Sequence, residues 1–161
     1  MTLSTPLYEK LAFLVRVVEK EIKHLNYSSN KIFLKPLTLE HIRTLENNPD
    51  FAEQLEAYTS RFCRLQDTLC DKLLPAWLAF LGEPSRSVVD NLDKASKLGV
   101  QVDPEQWLIV RQLRNKMVHD YIEAEEVFLN AINFAHQYEH NFFVFADQIL
   151  QDLKSRGIKQ K

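Results

Sequence analysis

Glycine is nearly absent from this chain: 161 residues hold three, at positions 82, 99 and 157. That leaves little room for tight hairpins or for a glycine-rich loop around a phosphate. Cysteine is just as scarce. Cys63 and Cys70 lie seven apart in a segment of helical pattern, roughly 10.5 Å along a helix axis and too far for a disulfide. They read as buried free thiols of a reducing compartment. No charge dominates, since 20 basic residues face 22 acidic ones for a net charge of −2. Nothing global therefore advertises nucleic-acid binding, and any such binding would need a local patch. No uncharged run reaches the roughly 18 residues of a membrane helix. Residues 1–14 lack a basic start followed by an apolar run, so no signal segment is expected and the chain reads as cytoplasmic. Strand-like alternation and internal repeats are missing too.

What remains is helical spacing almost everywhere. Leu7, Leu11, Leu14, Val18, Ile22 and Leu25 form an amphipathic stripe, which Tyr27-Ser28-Ser29-Asn30 is expected to end. Thr38 looks like the N-cap of a short helix with Glu40 and His41 in its first turn, closing near Asn48. Pro49 and Asp50 open a longer element, whose stripe runs from Phe51 through Phe62 to Phe80. Pro75 inside it should kink it or loosen a turn, and Gly82-Glu83-Pro84 should stop it. A short helix is expected from Ser87 to Leu98. Asp103-Pro104-Glu105-Gln106 is a strong start for the next, with Trp107, Val110, Leu113 and Met117 facing the core. The last helix should begin near Ala124 and reach about Lys154. The expectation is one all-α domain over residues 1–161, an antiparallel bundle of four or five main helices.

The chemistry concentrates at Arg114-Asn115-Lys116-Met117-Val118-His119-Asp120-Tyr121. Arginine grips phosphate through a planar fork of donors, and histidine moves a proton near neutral pH. On an ideal helix Arg114 and His119 are roughly 140° apart, so one straight helix does not bring them together. Either the helix turns at His119-Asp120, or a second copy of the motif completes the site. The plainer alternative is that both residues are cations complementing a helix C-terminus. Arg-x4-His alone is a weak pattern.

Arg114-Asn115 followed by His119 and Tyr121, on the penultimate long helix of a small α-bundle, resembles the signature of HEPN toxins of the HepT type. Ser60-Arg61-Phe62-Cys63-Arg64-Leu65-Gln66-Asp67-Thr68-Leu69 is similar to the Arg-Phe-rich second helix of bacterial HEPN proteins encoded beside small nucleotidyltransferases. The resemblance covers about residues 51–150 and leaves the N-terminal helix and connector of residues 1–50 outside it. It implies a homodimer with facing signatures and metal-independent cleavage of RNA by attack of the 2′-hydroxyl on the neighbouring phosphate. It further implies that Arg114 and His119 are catalytic, that Asn115 supports them, and that no cofactor is needed. Tyr121 would accept AMP from a partner nucleotidyltransferase antitoxin. The competing expectation is a substrate-binding or AMP-accepting partner of such an enzyme with no nuclease activity. In-line attack needs a base and an acid, which two His119 side chains can share, and a fixed cation for the developing phosphorane charge.

Other residues are ambiguous. Arg111 and Lys116 add positive charge beside the motif, as RNA contacts or as plain solvated surface. Arg61 and Arg64 either line an RNA groove or pair with Asp67 and Asp71. Those two aspartates, four apart, can hold a metal or anchor Arg114, but a solvated face is the commoner arrangement. His136-Gln137-Tyr138-Glu139-His140 matches the H-x-x-E-H string of inverted zinc peptidases. It lacks a third ligand and an open cleft, and reads as a polar helix edge. Phe142, Phe143 and Phe145 exceed one buried face, which suggests a subunit or partner contact on the last helix.

Overall fold

Every regular element of the computed structural model, which describes residues 5–119 and 124–158, is helical. The order is α1 (Thr5–Ile32), α2 (Leu39–Arg43), α3 (Pro49–Asp67), α4 (Leu74–Phe80), α5 (Val88–Lys97), α6 (Pro104–His119) and α7 (Glu125–Ser155). Cross-contacts define the directions. Phe33 meets Tyr58, and Arg61 meets His24, so α1 and α3 run antiparallel. Lys154 meets Glu19 and Glu139 meets Ser29, so α1 and α7 do the same. Arg114 on Asp67 and Arg111 on Asp71 set α6 against the end of α3 and the turn after it. The all-α bundle expected from the helical spacing is the fold observed.

Local chemistry explains most of the boundaries. Thr38 caps α2 in a reciprocal box with His41, and Asn48 accepts from the Phe51 N–H ahead of Pro49. Ser87 caps α5, and the Asp103 carboxylate accepts from the Glu105 and Gln106 N–H groups at the start of α6. Gly99 closes α5 at φ +98°, with its own N–H on Ser96 and the Val100 N–H on Ala95. That is a Schellman ending, which requires a left-handed residue.

Three boundaries differ in detail. The short helix expected to close near Asn48 ends at Arg43, and a 3-10 turn over Leu45–Asn47 follows it. The expected stop of α1 at residues 27–30 does not occur, and the helix continues to Ile32. Ser28 and Ser29 face inward, where Arg61 donates to the Ser28 hydroxyl and Ser29 donates to Glu139. Serines with tertiary partners no longer compete for their own backbone. The loosened turn expected at Pro75 lies just ahead of it, as a π-helical turn over Thr68–Leu73. Leu65, Leu69, Leu73 and Trp77 follow one another at four-residue steps and are all buried. Such steps outrun a 3.6-residue period, and the wider turn brings the stripe back to the core.

The core surrounds Trp107, which is fully buried and touches Tyr138, Phe142 and Phe145 at ring-centroid separations of 6.5, 4.9 and 4.7 Å. The expectation of surplus aromatics on the last helix is therefore corrected. Phe142 and Phe145 are fully buried, and Phe143 packs partly buried against the same core. A large indole draws in more rings than a single stripe suggests. No helix among the described residues is long and apolar enough to cross a membrane.

Candidate functional site

The end of α6 presents different side chains to different sides. Met117 and Leu113 are buried, while Arg114, Asn115, Lys116, Val118 and His119 are exposed. The helix stays regular through His119, so the spacing argument holds within one chain: Asn115 and His119 share an outward face, and Arg114 lies on the flank that meets α3. Asp120 and Tyr121 lie outside the described residues, and so does the question of a turn immediately after His119.

Arg114 is held by Asp67. Its Nη1 donates to Oδ1 at 2.6 Å and to Oδ2 at 2.5 Å. That hydrogen bond is the main reason its guanidinium binds its proton more tightly than usual. The pair is only partly screened from water, with 44% of the arginine side chain and 33% of the aspartate exposed. Only Nη1 makes the contact, so Asp67 does not consume the rest of the fork. One turn back, Arg111 Nη1 lies 3.4 Å from Asp71. The solvated-face expectation is thus corrected at Asp67, which anchors Arg114 across the α3–α6 seam; Asp71, in the turn after α3, stays exposed while meeting Arg111.

Beside this seam lies a cleft of about 490 Å³. Arg114, Asp67, Arg64, Glu56, Thr59 and Ser60 form its polar side, and Leu55, Met117 and Val118 contribute apolar surface. Arg64 lines the cleft and reaches Ser60 at 3.5 Å. Arg61 turns to the other side of α3, donating to the His24 carbonyl at 3.2 Å and the Ser28 hydroxyl at 2.7 Å. So neither Arg61 nor Arg64 forms an ion pair with the two aspartates. Cys63 also lines the cleft, and burial pushes its thiol up to about 11 despite the nearby Arg114. It is protonated at neutral pH, hence a poor nucleophile.

In the H-x-x-E-H string His136, Gln137 and His140 are exposed as a polar helix edge would be, but Glu139 is not. Glu139 is 6% exposed. Its carboxylate accepts from Tyr58 Oη at 2.5 Å and Ser29 Oγ at 2.9 Å, and lies 3.1 Å from His136 Nδ1. Burial and the Glu139 charge raise the Tyr58 phenol well above its ordinary value, so it remains a donor. His136 stacks on Phe33 at 3.7 Å. The buried acid thus ties α1, α3 and α7 together. Sequence reasoning missed this cluster. Its trace was an acidic residue next to Tyr138 on the buried stripe, opposite two serines inside a helix.

No match emerges from comparison with protein-family models, curated proteins or solved structures. The functional reading therefore rests on the motif and on the geometry around Arg114.

Proposed function

We propose that this chain is a metal-independent RNA endonuclease of the HEPN kind, the toxin half of a toxin–antitoxin pair. The observation that carries the reading is Arg114 fixed by Asp67 at the cleft, with exposed His119 five residues on at the end of the same helix. A fixed guanidinium suits the charge that builds on a phosphorane, and an exposed imidazole suits proton transfer. The two lie on different sides of α6, which favours a site completed by a second copy across a two-fold axis. Val118 and Val127, 54% and 38% exposed, supply apolar surface beside the motif for such a contact.

In this mechanism one His119 takes the proton of the 2′-hydroxyl. The freed oxygen attacks the adjacent phosphorus, and the P–O5′ bond breaks. The leaving oxygen takes a proton from the His119 of the second copy, leaving a 2′,3′-cyclic phosphate and a 5′-hydroxyl. Arg114 holds the non-bridging oxygens, and Asn115 supports from the His119 face. Control by AMP transfer to Tyr121 from a partner nucleotidyltransferase rests on the resemblance alone.

The test is expression and cleavage. Growth should arrest with the wild type and continue with His119→Ala. Purified protein should cut single-stranded RNA in EDTA, and Arg114→Ala should lose about a hundredfold or more. Cleavage that needs magnesium, or that persists in His119→Ala, overturns the reading. One observation favours a second reading, an AMP-accepting partner without nuclease activity: the Asp67 carboxylate already offsets the Arg114 charge that a phosphate would need. Harmless expression together with AMP found on Tyr121 by mass spectrometry would support it.

A further inference from the structure

A chain with a net charge of −2 attracts a polyanion only through a local concentration of cations. The outward face of α1 has one. Phe13, Arg16, Lys20, His24, Tyr27 and Lys31 follow one another at steps of three or four residues, so they occupy one sector of the helix. That sector lies opposite the buried stripe of Leu11, Val18 and Leu25. Between Phe13 and Lys31 both acids of α1 fall on its flanks. Glu19 is engaged by Lys154 at 3.4 Å, and Glu21 is partly buried on the other side, near Thr68. Among the described residues no carboxylate pairs with Arg16, Lys20 or Lys31.

The two rings in the sector are unusually open. Phe13 is 55% and Tyr27 is 61% exposed. Each carries a cation: the Arg16 guanidinium is 5.8 Å from the Phe13 centroid, and Lys31 Nζ is 5.2 Å from that of Tyr27. Exposed rings interspersed with cations that have no carboxylate partner match a strand whose bases are free to stack and whose phosphates need neutralising. A duplex offers no free base faces to such rings. The sector spans about 27 Å, room for about eight phosphates at the roughly 3.4 Å spacing of a stacked strand.

We propose that α1 is a binding track for single-stranded RNA, leading substrate towards the cleft between α3 and α6; the choice of RNA rests on the nuclease reading above. α3 lies between the two surfaces, with Arg61 turned to the track and Arg64 to the cleft. Arg61 is bound to the His24 carbonyl and the Ser28 hydroxyl at the edge of the track, and Arg64, one turn along α3, lines the cleft. The N-terminal helix, which the signature does not touch, thereby gains the role of gathering substrate.

The experiment is fluorescence anisotropy of the full chain with a single-stranded oligonucleotide of 2′-O-methyl sugars, whose blocked 2′-oxygen allows binding without cleavage. Tyr27→Ala should weaken binding about fivefold or more, the lower end of one lost base–ring stack, and Tyr27→Phe should restore it. Lys20→Gln with Lys31→Gln should lower the slope of log K against log salt by about 1.4, at about 0.7 per phosphate contact on a single strand. Wild-type affinity and slope in these variants overturn the proposal, as does equal affinity for an RNA duplex. If the variants behave as expected but natural RNA is never cut, the track stands and the nuclease reading falls. Cleavage with unaltered binding in the variants gives the reverse.

Discussion

At Glu139 a buried carboxylate works as a fastener. Its partners, Tyr58, Ser29 and His136, come from three helices. Removing it strands the buried Tyr58 hydroxyl, leaves Ser29 only its longer contact with His136 at 3.4 Å, and opens a void. Glu139→Ala should therefore cost about 2–4 kcal/mol in urea unfolding, while exposed His140→Ala next to it should stay within about 0.5 kcal/mol. Equal costs at the two positions would argue that the cluster holds nothing together. The thiols make a second residue-scale prediction. Burial pushes Cys63 and Cys70 up from 9.0 to about 11. Below pH 9 both states keep their thiol protons and the stability is fully present. Between about 9 and 11 the unfolded chain sheds protons that the native chain keeps, so stability falls as pH rises. The melting temperature should drop more steeply across that window in the wild type than in Cys63→Ala/Cys70→Ala. Parallel slopes would remove the thiols as the cause.

Among the elements, α5 shows how little sequence a helix needs to be bounded on both sides. Ser87 caps its start, and Gly99 lies just past its end at φ +98°. No side chain crowds the position, so the strain of a substitution there comes from the backbone alone. Gly99→Ala should destabilise by about 1 kcal/mol, lowering the melting temperature by about 2–4 °C for a chain of this size. Asn91 holds the preceding segment, accepting from the Arg86 N–H at 2.8 Å and donating to the Ser85 hydroxyl at 3.2 Å. The turn over Thr68–Leu73 shows the reverse case, in which packing sets helical geometry. It lets the residues on either side of Pro75 face one core.

For the molecule as a whole, a near-zero net charge conceals segregation. Cations without acid partners gather along α1, while Arg114 is matched by Asp67 at the end of α3 and Arg111 by Asp71 in the turn that follows it. Arg114 with Asp67 lines the cleft, and His119 is exposed at the end of α6. If the site is shared between copies, the particle in solution should have about twice the 18.9 kDa of one chain. Light scattering at micromolar concentration checks this, and a mass of one chain would count against the composite site. Val118→Asp, on the exposed flank of the motif, should shift the mass to that of one chain without unfolding the bundle.

The helices were legible because their signals are local. Thr38, Ser87 and Asp103 begin helices where side-chain oxygens meet free N–H groups, Pro49 opens another, and apolar spacing marks the buried faces. Arg114, Asn115 and His119 stand out in the sequence by residue type and spacing alone. The partners of those residues do not. Asp67 could have been solvated, Phe142 could have faced a second subunit, and Glu139 looked like one polar position among many. Each depends on which helix lies opposite, through contacts between residues 47, 35 and 81 positions apart in the chain. Helical period places a side chain on a face, and only the packing of that face against another decides whether it meets water, an arginine or a tyrosine.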